Sequence, residues 1–118
     1  MDLNFGHIEI FSEEPLVSKD FYINILGYEL ETIQQEKFVW LKKDNSVILI
    51  RPGKNGHKSD NYPNSKTGFV IYTNDLDEAA GTLKKRGLEF KGTDGSQRCL
   101  TFTDDDGNWF QLVNPKEH

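Results

Sequence analysis

The chain has 118 residues, 36% of them hydrophobic and 28% charged, with a formal net charge of −5. That length suits one compact domain or two very small halves sharing a core, and the composition excludes a disordered or membrane-embedded chain. The acidic balance argues against nucleic acid as a partner, because phosphate binding is driven by Lys and Arg displacing counterions.

The start, Met1-Asp2-Leu3-Asn4-Phe5, lacks the basic region and apolar run of a secretory signal, and no stretch approaches the length of a membrane span. With a single cysteine, Cys99, no intrachain disulfide can form. The expected location is the cytoplasm, with no membrane partner.

Residues 5 to 11 alternate as a strand, placing Ile8 and Ile10 on one face and His7, Glu9 and Phe11 on the other. Ser12 offers an N-cap and Pro15 a first-turn residue for a helix whose apolar stripe is Val17, Phe21, Ile25 and Leu26, closed by Gly27. Strands are predicted at 28–33, 37–42 and 47–51, the last two joined by a turn at 43–46. The stretch 52–66 is polar and without periodicity, long enough for a functional loop or a crossover.

The second half repeats the order: a strand at 67–73, a helix at 75–86 capped by Asn74 or Asp75, then strands near 88–91, 98–103 and 108–113. The basic cluster Lys84-Lys85-Arg86 falls in the last turn of that helix, where cations complement the dipole. Each half should be a sheet with a helix on one face, an α+β architecture, leaving the other faces to enclose a cavity. Parity assigns to that face His7, Glu9, Val47, Leu49, Arg51, Gly68, Val70, Tyr72, Trp109, Gln111 and Val113. Ile8, Ile10, Phe69, Ile71, Phe110 and Leu112 are then core beneath the helices, and a one-residue slip would exchange the two sets.

These residues resemble the glyoxalase, bleomycin-resistance and extradiol-dioxygenase (vicinal oxygen chelate) superfamily. The resemblance rests on His7-Ile8-Glu9-Ile10, on Asp20-Phe21-Tyr22 with Leu26-Gly27-Tyr28-Glu29-Leu30, on Asp75-Leu76-Asp77, and on the closing run from Asp104 to Pro115. It implies two paired βαβββ modules forming a curved mixed sheet around a cavity, within a single domain at 1–118: module one 1–52, a hinge 53–66 and module two 67–118. Enzymes of this family hold a divalent metal with side chains from the first and last strands of each module. Carried over, the ligand positions fall on His7, Leu49, Gly68 and Gln111. Leu49 and Gly68 have no side-chain lone pair and Gln111 is a weak neutral ligand, so neither metal nor other cofactor is expected.

His7 is open to several readings: a residual ligand, a general base, a pocket wall or a sheet histidine satisfied by its neighbour. Glu9 is the other candidate base, and beside Arg51 it forms an ion pair inside the cavity or at its rim. Trp40, Tyr72, Trp109 and Phe38 make either an aromatic box or core filling. His57 and the turn Asp104-Asp105-Asp106 are further reservoirs of metal ligands, expected to be solvated. That turn lacks the spacing and distal Glu of an EF-hand. Cys99 beside Arg98 reads as a buried structural thiol.

The ligand-binding set is therefore His7, Glu9, Trp40, Leu49, Arg51, Tyr72, Trp109 and Gln111. Two functions compete: a metal-independent small-molecule binding protein for a drug or metabolite, and a lyase or isomerase of the glyoxalase type acting on a small carbonyl compound with a non-standard metal site. A homodimer is the expected assembly, which the hinge would allow to exchange modules.

Overall fold

A computed structural model of the chain describes residues 1–54, 56 and 58–117. It is α+β and divides into two compact units, Met1–Gly56 and His57–His118. Among the described residues no helix is long and apolar enough to cross a membrane.

The first unit runs β1 (Ile8–Ser12), α1 (Pro15–Asp20), a π-helical turn (Phe21–Ile25), then β2 (Glu29–Gln34), β3 (Phe38–Lys43) and β4 (Ser46–Pro52). Its sheet has the order β1-β4-β3-β2, with β1 parallel to β4 and the other pairs antiparallel. Val39, Leu41, Ile48 and Ile50 are buried on the side where α1 packs against β1, β3 and β4. Full burial of each such side chain is worth about 1.5–3 kcal/mol.

Three details depart from expectation. Ile8 is exposed although its parity mate Ile10 is buried, and Val17 is 56% exposed instead of belonging to the helix stripe. The inward face of the helix is formed by Pro15, Ser18, Phe21, Tyr22 and Leu26. Ser12 does not occupy the N-cap position, which is Glu14; its Oγ accepts from the Glu14 N–H at 3.0 Å and shares a buried 2.6 Å hydrogen bond with Ser18 Oγ. After Asp20 the helix widens into a π turn, where Leu26 N–H donates to Phe21 O. Gly27 then takes φ 81° and the Tyr28 N–H closes on Tyr22 O at 2.9 Å.

The second unit contains β5 (Phe69–Tyr72), α2 (Leu76–Lys85), β6 (Cys99–Thr103) and β7 (Trp109–Val113), in the sheet order β5-β7-β6. Asp75 caps α2 by accepting from the Glu78 N–H at 3.0 Å, and Leu76, Ala80 and Leu83 bury its apolar side. Phe102 and Phe110 stack in the core with centroids 5.1 Å apart.

The strand expected at 88–91 does not form. In its place Lys91 N–H donates to Thr101 O and Thr93 bridges to Leu100, with Gly92 and Gly95 on either side of Thr93 at φ 84° and 80° turning the chain. Alternation of burial on β7 is also absent: Trp109, Gln111 and Val113 are buried along with Phe110 and Leu112.

Candidate functional site

Strand pairing in the first unit gathers five of the predicted residues on one face. The register sets Glu9 beside Leu49, Phe11 beside Arg51, and Trp40 across from Leu49. His7 Nε2 donates to Glu9 Oε2 at 2.8 Å, and Arg51 Nη1 donates to Glu9 Oε1 at 3.2 Å. The His7 hydrogen bond, aided by Arg51 and opposed by partial desolvation, holds the Glu9 carboxyl below the ordinary glutamate value.

Aromatic rings frame this triad. His7 meets Trp40 edge-on with centroids 4.8 Å apart, and the Arg51 guanidinium lies 5.2 Å from the Phe38 ring and 5.9 Å from Phe11. Trp40 Nε1 donates to Gln34 Oε1 at 3.0 Å, which fixes the indole plane. Leu49, between Glu9 and Trp40, is 4% exposed and contributes only hydrocarbon. Phe11 joins the cluster as the third residue of the strand face that carries His7 and Glu9, and Gln34 joins it without having been singled out from the sequence.

In the second unit the corresponding face is covered by its own chain. A Cβ on Gly68 would fall onto the Tyr62 hydroxyl, and 2.7 Å from Tyr62 Cζ. Tyr62 begins the short 3₁₀ turn Tyr62–Asn64 and stands edge-on to Trp109 at 6.4 Å. Trp109 Nε1 donates to Ser59 O at 3.0 Å, and Gln111 Nε2 donates to Asp94 Oδ2 at 2.8 Å. Burial, with the charge of Asp94 next, pushes the Tyr62 phenol above its usual value.

Tyr72, on the same side of β5, is 71% exposed. Asp104 is a correction to the expected solvated turn. It is 5% exposed, and its carboxylate accepts from the backbone N–H groups of Asp106 and Asn108 and from Asn108 Nδ2. His57 lies outside the described residues. Cys99 is buried, and Arg98 turns to Glu117 and Asp77.

The glyoxalase/bleomycin resistance protein/dioxygenase superfamily model matches residues 4–112. The chain belongs to that superfamily. Solved structures agree on the fold. A superfamily member from Sphaerobacter thermophilus DSM 20745 is 28% identical, with 95% of this chain and 98% of that chain covered and a TM-score of 0.65. Lactoylglutathione lyase from Agrobacterium tumefaciens is 14% identical (97% and 95% covered, TM-score 0.71). TnmS3, an antibiotic-binding protein from Streptomyces sp. CB03234, is 19% identical (97% and 99% covered, TM-score 0.68). The sequence matches no curated protein.

Superfamily membership makes a divalent metal the first group to test against these side chains, and they do not fit it. Leu49 and Gly68 carry no donor atom, and the space over Gly68 is taken by Tyr62. The Gln111 amide is already turned to Asp94. Among the described residues no three of His, Cys, Asp and Glu come together as a ligand group.

Proposed function

We propose that this member of the glyoxalase/bleomycin-resistance superfamily is a small-molecule binding protein that works without a bound metal, its ligand a drug or metabolite. The observation that carries this reading is the first-unit face. There a buried Leu49 stands at a family ligand position, while His7, Glu9, Arg51, Trp40 and Phe38 around it are ordered by mutual contacts. Such a face offers flat apolar surface with a few fixed polar groups, the mix by which small molecules are recognised. TnmS3, which shares the fold, is an antibiotic-binding protein. Tyr72, Trp109 and Gln111 remain part of the proposed ligand-binding set within a single domain, as do a homodimer and a cytoplasmic location within the proposal.

Titrating a broad panel of drugs and metabolites while following tryptophan fluorescence tests it. Saturable quenching that is lost in Trp40→Phe is expected, and an unresponsive signal across the panel would count against binding. Elemental analysis tests the metal-free half: stoichiometric nickel, zinc, manganese or iron that disappears in His7→Ala would overturn it.

One observation favours a second reading, a lyase or isomerase acting on a small carbonyl compound. The 2.8 Å His7–Glu9 hydrogen bond orients an imidazole by a carboxylate, leaving Nδ1 as an acceptor that could take a proton. Solvent deuterium incorporation next to the carbonyl of a bound compound, abolished in His7→Phe, is the result this reading requires.

A further inference from the structure

Arg51 carries an unused recognition edge. Its guanidinium has two flanks, one presented by Nη1 and the other a fork formed by Nε and Nη2. Glu9 takes Nη1. Nε is buried and has no partner among the described residues, and the Nε–Nη2 fork makes no hydrogen bond to any of them. A buried donor left unpaired is unfavourable, so an acceptor that reached it would be bound at a position already prepared. The side chain keeps 39% of its surface exposed, so the guanidinium borders solvent although Nε does not.

The two ring N–H donors on this face are committed. His7 Nε2 serves Glu9 and Trp40 Nε1 serves Gln34. Among the described residues Arg51 Nε is thus the buried donor that this face leaves unpaired, and the fork it forms with Nη2 is planar and bidentate. Phe38 and Trp40 alternate onto this face of β3, and Leu49 lies across from Trp40, so flat hydrocarbon adjoins the fork.

We propose that the first-unit face takes a planar aromatic carboxylate, its two oxygens on the Nε–Nη2 fork of Arg51 and its ring against Phe38 and Trp40. The inference rests on the binding reading above and names its ligand class. The fork matches a carboxylate in geometry. Charge favours a monoanion over a phosphate dianion: Arg51 already pairs with Glu9 and the chain carries a net −5, so each added negative charge is disfavoured. The same balance makes Glu9 a competitor, and its removal should strengthen binding.

Calorimetric titration with 2-naphthoate and with its neutral amide, 2-naphthamide, tests this, read alongside the Arg51 Nε–H resonance by NMR. Naphthoate is expected to bind at least tenfold tighter than the amide and to shift that resonance. Arg51→Lys keeps the charge but not the fork and should lose most of the tenfold preference, with circular dichroism reporting that it is folded. Glu9→Gln should tighten naphthoate binding several-fold, a gain that a damaged fold cannot imitate. Equal affinity for acid and amide, or a preference kept in Arg51→Lys, would overturn the proposal. If neutral or cationic planar compounds bind in a Trp40-dependent way and naphthoate does not, the carboxylate assignment falls while the binding function stands. If no compound binds, both fall.

Discussion

The Tyr62 ring fills the space in which any side chain at residue 68 would sit, with Cζ 2.7 Å from the position of a Cβ. The requirement for glycine there is one of room, since Gly68 is not among the glycines with positive φ. Gly68→Ala should therefore cost about 1–3 kcal/mol by overpacking. In a Tyr62→Ala background the same substitution should cost less than about 0.5 kcal/mol, because the clash is gone. Denaturant unfolding of the four proteins in this cycle measures it, and a penalty that persists without Tyr62 would show that the ring is not what glycine accommodates.

The Glu9 carboxyl titrates below its ordinary value, chiefly through the His7 hydrogen bond and then through Arg51. An unfolded glutamate titrates at about 4.3, so the contribution to stability is complete above that pH and disappears as pH falls through the lower folded value. Carboxyl-carbon NMR should place the Glu9 midpoint below the unfolded one. His7→Phe should raise it more than Arg51→Met does, and the reverse order would contradict the geometry.

Asp104 binds its own turn with three charge-assisted hydrogen bonds of 2.8–2.9 Å while almost fully buried. Asp104→Ala strands the Asp106 and Asn108 N–H groups and should destabilise the second unit by about 2–3 kcal/mol. Asp104→Asn, which keeps acceptor capacity, should lose about half as much. Thermal unfolding of the two variants distinguishes this capping role from a metal-ligating one, because the difference should be independent of added calcium.

Arg98 holds the C-terminal turn Pro115–Glu117 through two 2.9 Å bonds to Glu117 and a third to Asp77 ahead of the middle of α2. These groups are exposed, so Arg98→Ala should barely change the unfolding midpoint. Amide hydrogen exchange at Lys116 and Glu117 should nevertheless accelerate, and more so at low salt, where the pairing is least screened.

Strand parity was enough to collect His7, Glu9, Leu49 and Arg51, because a period of two carries each alternate residue onto one face; Trp40, read only as part of an aromatic set, joins them by pairing across from Leu49. Parity could not foresee Tyr62, Ser59 or Asp94, which reach the second sheet from segments without periodicity. One signal for Tyr62 was present in the chain: a glycine beginning a strand where the first half has His7 marks a close approach by something else. The missing strand at 88–91 failed for a related reason, since its apolar residues were visible but the two turning glycines after it outweighed them.

The π turn of the first unit also says where the two halves of the chain differ in length. From His7 to Gly27 is one residue longer than from Gly68 to Gly87. The bond closing the first helix, Tyr28 N–H to Tyr22 O, likewise spans one residue more than its counterpart, Leu88 N–H to Leu83 O. The surplus residue is accommodated as a wider helical turn and leaves both terminal glycines in place. Superposing the halves therefore calls for a single gap inside the helix, and deleting the exposed Asn24 should restore an ordinary turn while shifting no strand.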